Sequence, residues 1–138
     1  MSAELASRLT ILVTLVVLGY NIFQLTNGYA WMVAQIGQFR EYAREEKVAA
    51  PNMRRYNLIV IGIMLTAYLT LLFFSGFAWW ILGLVFAKYA GSALLSDQMQ
   101  WRILQGKDFQ RTHHRVIKAD AFTNVLVLGG LLTICVAS

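Results

Sequence analysis

The lysine at position 88 is the residue of this chain whose surroundings most strongly suggest chemistry. Lys88 follows an uncharged, apolar stretch that runs from Asn57 to Ala87. A lone ammonium within a bilayer is costly and usually functional. We expect no carboxylate from the apolar segments to neutralise it, and only Asp97, further along the same helix, to approach it. Two interpretations follow: an anion or proton site that faces a wet cavity, or a lysine whose stem lets the ammonium reach the cytoplasmic interface.

Polar side chains recur along the first apolar segment at intervals of three or four residues, which place them on one face of a helix. They are Tyr20, Gln24, Asn27, Trp31, Gln35 and Gln38, and Asn21 extends the neighbouring edge. Amides within hydrocarbon need hydrogen-bond partners, so this polar stripe should face protein or water. It predicts either hydrogen bonds between helices or, with Lys88, the lining of an aqueous path.

Small residues recur every four positions on two later segments. The first set is Gly62, Thr66 and Thr70, and the second is Gly83, Ala87 and Gly91. Small side chains allow helix backbones to approach closely in a membrane. The two sets are therefore predicted to be helix-packing faces.

The basic residues are concentrated in two segments that connect the apolar ones. The first, between residues 35 and 56, contains Arg40, Arg44, Lys47, Arg54 and Arg55, and the second, between residues 97 and 120, contains Arg102, Lys107, Arg111, Arg115 and Lys118. Acidic residues accompany them in both, so the net charge of +5 indicates topology and lipid contact and not a nucleic-acid surface. Lipid headgroups are the predicted partners of Arg54, Arg55, Arg111, Arg115 and Lys118.

No catalytic, metal or cofactor signature is visible in the sequence. His113 and His114 are adjacent, so their side chains diverge on a helix, and no spaced histidine pair accompanies them. The single cysteine, Cys135, is predicted to be a packing residue. We therefore predict no catalytic residue, no metal and no cofactor.

The elements that must position these residues are membrane-spanning helices. The chain has 138 residues, 58% of them hydrophobic and 14% charged, whereas about a quarter are charged in soluble domains. Crossing the hydrocarbon core takes about 20 apolar residues. We predict one all-α domain over residues 1–138 with four spans, at about 9–33, 57–74, 77–96 and 121–137. Ser75 and Gly76 should form a tight hairpin between the second and third spans, and helical extensions should continue into the cytoplasm.

The loop charges predict the orientation of the four spans. Short loops rich in Lys and Arg stay on the cytoplasmic side, so both termini should lie outside, in what we expect to be a bacterial inner membrane. The last span, with only 17 residues from 121 to 137, should be nearly upright or lie in locally thinned lipid.

The sequence is compatible with three functions. The first is a non-enzymatic bundle that works as a homo-oligomer or as a subunit of a larger membrane complex, since four short helices should enclose almost no cavity of their own. The second is a channel or transporter for a small, possibly anionic solute, whose path is lined by Lys88, Tyr20, Asn21, Gln24 and Asn27. The third, which the sequence favours least, is a membrane enzyme acting on a lipid or anionic substrate.

Overall fold

The fold consists of helices whose order along the chain matches the predicted spans. The computed structural model describes residues 2–46 and 49–137, so Lys47 lies outside the described residues. These residues form helices α1 (Ala3–Thr26), α2 (Tyr29–Glu45), α3 (Ala50–Phe74), α4 (Trp79–Leu104) and α5 (Arg111–Ala137), and no strand. Helices α1, α3, α4 and α5 are each long and apolar enough to cross a membrane. The prediction of an all-α protein with four spans is confirmed.

The predicted hairpin between the second and third spans is present. Helix α3 ends at Phe74, and Gly76 adopts a φ of 84°, which costs a residue with a side chain much more than glycine. The amide of Gly76 donates to the carbonyl of Phe73, and that of Phe77 to Leu72. These are the two bonds of a Schellman motif, which satisfies carbonyls at a helix end. The same motif, with Gly106, ends helix α4.

The first apolar segment differs from the prediction because its helix is broken. A single span over residues 9–33 is wrong: α1 ends at Thr26, and Asn27 and Gly28 are extended, with ψ angles of 130° and 161°. Helix α2 then begins at Tyr29. The break divides the polar stripe between two helices.

Polar residues continue helices α3, α4 and α5 beyond the predicted spans 57–74, 77–96 and 121–137, in agreement with the predicted helical extensions. Helix α5 has 27 residues and begins at Arg111, so it is about 40 Å long. The length of the helix does not test the expected tilt of its apolar part, because the first ten residues, from Arg111 to Asp120, are mainly polar or charged. Helix α3 likewise begins at Ala50, with Pro51 in its first turn, where a missing amide hydrogen is no disadvantage.

The described helices pack more tightly at one end than at the other. Helix α1 packs mainly against α5 and α3, and α3 against α4, whereas α4 meets α5 only briefly. We call the end with Ser75 and Gly76 the hairpin end, and the opposite end, with residues 49 and 105–110, the basic end. The largest buried hydrophobic cluster lies in the half nearer the hairpin end and consists of Tyr68, Leu72, Val85, Leu128 and Leu131.

The two sets of small residues are exposed in the single chain. Gly62 and Thr66 of α3, and Gly83, Ala87 and Gly91 of α4, all face outward, and a Cβ added at any of these glycines would meet nothing within 4 Å. Within one chain they are not helix contacts. The hydroxyl of Thr66 donates to the carbonyl of Gly62 at 2.8 Å, so it needs no partner from another helix.

Candidate functional site

An ion pair between helices α4 and α5 is the centre of the site. The ammonium Nζ of Lys88 lies 2.6 Å from Oδ1 of Asp120 and donates to the hydroxyl of Ser92 at 2.7 Å. The Ser92 hydroxyl lies 2.8 Å from the same carboxylate oxygen. The expectation that no carboxylate neutralises Lys88 is wrong, because α5 begins at Arg111 and Asp120 is therefore inside the last helix.

Amide side chains connect this ion pair to the first helix. Nδ2 of Asn124 donates to Oδ1 of Asn21 at 3.0 Å and lies 3.3 Å from Oδ2 of Asp120. Nδ2 of Asn21 donates to the carbonyl of Val17 at 2.8 Å. Both asparagines are buried. The polar network, defined as Lys88, Ser92, Asp120, Asn124 and Asn21, therefore links α4, α5 and α1 where direct packing between α4 and α5 is sparse.

The polar network lies near the middle of the spans. The hydroxyl of Thr10 on α1 is hydrogen-bonded at 2.9 Å to that of Ser75 in the hairpin. Thr10 is therefore the residue of α1 that lies level with the hairpin end. Asn21 is about 16 Å from Thr10 along α1, and Lys88 is about 13 Å from Trp79 along α4. Both distances are about half of the 30 Å hydrocarbon thickness. With the hydrocarbon core centred on the four candidate spans, the ion pair would lie near its middle, where unpaired charges are strongly disfavoured.

A cavity of about 660 Å³ lies between α1, α2, α4 and α5. The polar network forms part of its wall. Five residues of the polar stripe lie on its wall, namely Tyr20, Gln24, Asn27, Trp31 and Gln35, together with the network members Asn21, Ser92, Asp120 and Asn124. Lys88 contacts this lining through Asp120 and Ser92. The cavity is open on one side, and the four long helices do not enclose it by themselves, because α2, which follows the break after α1, forms one of its walls.

The walls of the cavity combine amides with aromatic rings. Gln35 of α2 and Gln100 of α4 line it, as do the rings of Phe23, Trp31, Phe39 and Phe109. Phe23 and Trp31 make an edge-to-face contact across the helix break, with ring centroids 5.6 Å apart. The surface thus offers hydrogen-bond donors and acceptors at its base and apolar contacts along its sides.

Helix α2 is fastened to the end of α4 by an arginine. Arg40 donates from Nε to the carbonyl of Ile103 at 3.0 Å and from Nη2 to the carbonyl of Lys107. Carbonyls at a helix C-terminus lack partners within the helix and carry partial negative charge. The guanidinium therefore holds α2 over the cavity by satisfying the end of α4.

The junction between α1 and α2 is fixed by residues of α5. Lys118 donates to the carbonyl of Leu25 at 2.8 Å, and Nε2 of His114 lies 3.3 Å from the carbonyl of Asn27. Lys118 was predicted to contact lipid headgroups, but in this structure its ammonium satisfies the end of α1. The other histidine, His113, accepts from the amide of Gln110 through Nδ1 at 3.1 Å. Both histidine rings thus have a hydrogen-bond partner in the backbone, His113 within its own helix end and His114 at the junction between α1 and α2.

A second ion pair lies at the basic end, between α3 and α4. Nε and Nη2 of Arg54 both donate to the carboxylate of Asp97, at 2.7 to 3.0 Å, and the Arg54 guanidinium lies 5.2 Å from the ring centroid of Trp101. The expected approach of Asp97 to Lys88 is therefore wrong. Arg55, the next residue on α3, is exposed, and Arg111 and Arg115 on α5 are also exposed, with the Arg111 guanidinium 5.8 Å from the ring centroid of Tyr29.

Sequence reasoning missed three members of the polar network, Ser92, Asp120 and Asn124. A signal was available, because Ser92 follows Lys88 by four positions and Asn124 follows Asp120 by four, so each pair shares a helical face. Among the described residues, no cluster of three His, Cys, Asp or Glu side chains could hold a metal ion.

Comparison of the chain with models of protein families, with curated proteins and with solved structures gives no match.

Proposed function

We propose that this protein is a membrane transporter or channel that accepts a small, uncharged, hydrogen-bonding solute in the cavity between α1, α2, α4 and α5. The observation that carries the proposal is that four members of the polar network, Asn21, Ser92, Asp120 and Asn124, line this open cavity. A buried polar network that only joined helices would not need an open space lined by further amides from Gln24, Gln35 and Gln100.

The ion pair favours an uncharged solute over an anion. Lys88 and Asp120 neutralise each other at 2.6 Å, so the base of the cavity has no net charge to attract an anion. Amides and hydroxyls donate and accept hydrogen bonds equally well, and the aromatic walls suit an apolar portion of the solute. The buried hydrophobic cluster lies nearer the hairpin end than the cavity does, so we expect a solute to enter from the basic end.

Water access to the cavity is the first test. In a Cys135→Ser background, Gln24→Cys should react with a membrane-impermeant maleimide from the basic end, because Gln24 lines the open cavity. Leu126→Cys on the outer face of α5 is the matched control, since that side chain is exposed away from the cavity and would face lipid. Equal labelling at the two positions would contradict an aqueous cavity.

Solute flux is the second test. Proteoliposomes should equilibrate at least one of glycerol, urea and erythritol faster than protein-free liposomes in stopped-flow light scattering. Asn124→Leu should abolish the increase by removing an amide from the base of the cavity. Thr133→Val, on the same helix, should leave it unchanged because that hydroxyl bonds only to the carbonyl of Gly129. If none of the three solutes crosses faster than in protein-free liposomes, the transport proposal fails.

The orientation that we propose places the basic end in the cytoplasm and both termini outside, in a bacterial inner membrane. The positive-inside rule supports it, since Arg54, Arg55, Arg111 and Arg115 all belong to the basic end. An impermeant maleimide should label Ser2→Cys in intact cells and Arg111→Cys only after permeabilisation. The reverse pattern would overturn the orientation and leave the cavity argument intact.

Assembly into a homo-oligomer, or with other membrane subunits, is the second function that the structure favours. The exposed small-residue faces of α3 and α4 would let another helix approach closely. Gly83→Leu should then reduce the mass of the detergent-solubilised complex in light scattering, whereas Leu84→Ala, on a neighbouring exposed position, should not. A wild-type protein that is monomeric in several mild detergents would contradict this proposal.

A further inference from the structure

A groove at the basic end has the features of a phospholipid site. It lies between the start of α3 and the end of α4, has a volume of about 530 Å³, and is lined by Pro51, Arg54, Arg55, Leu58, Ile59 and Trp101. Two arginines and a tryptophan stand at one end of the groove, and two aliphatic side chains continue along α3. We propose that this groove binds one anionic phospholipid, with its phosphate against Arg55 and Arg54 and an acyl chain along Leu58 and Ile59.

The depth of the groove matches the position of a lipid headgroup. Twenty residues separate Arg54 from the end of α3 at Phe74, which corresponds to about 30 Å along the helix, and this equals the usual hydrocarbon thickness. Trp101 lies at the same level on α4, and tryptophan rings collect at membrane interfaces. A phosphate at Arg54 and Arg55 would therefore lie among headgroups, and chains below it would lie in hydrocarbon.

The contacts of Arg54 with neighbouring side chains orient its guanidinium for a phosphate. Because Asp97 neutralises Arg54, this arginine does not contribute net positive charge to the groove. Its Nε and Nη2 donate to Asp97, whose side chain is only 4% exposed. This bidentate contact and the face of Trp101 fix the guanidinium plane. The Nη1 hydrogens remain for another acceptor, and planar guanidinium groups suit phosphate oxygens.

Arg55 supplies the positive charge that makes an anionic lipid the expected occupant. Asp97 cancels the charge of Arg54, whereas Arg55 is exposed and has no ion pair within the described residues. The groove therefore carries about one net positive charge. A lipid with one net negative charge complements this positive charge. A zwitterionic lipid does so less well, because its own cationic group competes with Arg55 for the phosphate.

Native mass spectrometry of the full chain in a nonionic detergent tests the site. The probes are phosphatidylglycerol, phosphatidylcholine with the same acyl chains, and soluble glycerol 3-phosphate. We expect phosphatidylglycerol to bind at least about fivefold more tightly than phosphatidylcholine. Glycerol 3-phosphate should not compete at equal concentration, because it cannot use Leu58 and Ile59. Equal affinity for the two lipids, or effective competition by glycerol 3-phosphate, would overturn the proposal.

Variants separate this site from a general attraction of charge. Arg55→Gln should lose the preference for phosphatidylglycerol, and Arg55→Lys, which retains the charge, should keep most of it. Arg44→Gln on α2 is the matched control, because Arg44 is exposed and lies outside the groove. An Arg55→Gln variant that keeps the preference, or an Arg44→Gln variant that loses it equally, would refute the groove as the site. Neither result depends on solute transport.

Discussion

The ion pair in the polar network should contribute strongly to stability, and a double-mutant cycle measures that contribution. The perturbations are Lys88→Met, Asp120→Asn and the two together. At an effective dielectric constant of about 20, unit charges 2.6 Å apart attract each other by about 6 kcal/mol. Desolvation offsets much of this attraction, and each charge keeps a hydrogen bond to Ser92 when the other is removed. We therefore expect each single variant to lose about 2 to 3 kcal/mol, and the coupling between them to be about 2 kcal/mol.

The assay is reversible unfolding by sodium dodecyl sulfate in mixed micelles, followed by circular dichroism. The pair Glu4 and Arg8 is the internal control, because its charges are also 2.6 Å apart but its side chains are 76% and 77% exposed, compared with 22% and 25% for Lys88 and Asp120. An exposed pair of this spacing should couple by about 0.3 to 0.5 kcal/mol. A coupling between Lys88 and Asp120 no larger than that of the control would refute the assignment of a membrane-buried ion pair.

Three further predictions concern the packing and the cavity wall. Thr14→Val should lower the free energy of unfolding by about 1 kcal/mol in the same assay, because its hydroxyl is buried and hydrogen-bonded to that of Tyr68 at 2.8 Å. Adding Tyr68→Phe should lower it little further. Fully additive losses would contradict a shared hydrogen bond. Gly76→Ala should cost about 1 kcal/mol because of its positive φ, whereas Gly129→Ala, inside α5 with open space around its Cβ position, should be neutral or stabilising in thermal unfolding. Arg40→Ala should increase amide hydrogen exchange in α2 and leave exchange in α1 unchanged, since the contacts of Arg40 with the end of α4 would be lost. Unchanged exchange in α2 would show that other contacts hold α2 in place.

The spans and the hairpin could be predicted because they depend on local properties of the sequence. Uncharged segments of sufficient length indicate crossings, and Gly76 marks a turn that demands a positive φ. The break at Asn27 and Gly28 was harder to see, because the apolar character continues through it. Its causes are tertiary: residues Lys118 and His114 of α5 bind the carbonyls that the break exposes.

The candidate site was predicted in part for a similar reason. Helical spacing predicted that Tyr20, Asn21, Gln24 and Asn27 share a region of the surface, and they lie on one cavity wall. The partner of Lys88 was missed because the last span was predicted to begin at residue 121, directly after Asp120, whereas α5 begins at Arg111. An error of ten residues in one helix start therefore changed a neutralised ion pair into an apparent lone charge.

The break after α1 also gives the four-helix bundle an additional helix, α2, which forms one wall of the open cavity. If α1 continued straight beyond Thr26, residues Trp31 and Gln35 would extend along the same axis and leave the gap between α4 and α5 uncovered. Because the chain turns at Asn27 and Gly28, the same helical stripe supplies the base of the cavity from α1 and a wall from α2. A polar stripe that served only to join helices would gain nothing from this division, whereas a stripe that surrounds a solute would need it.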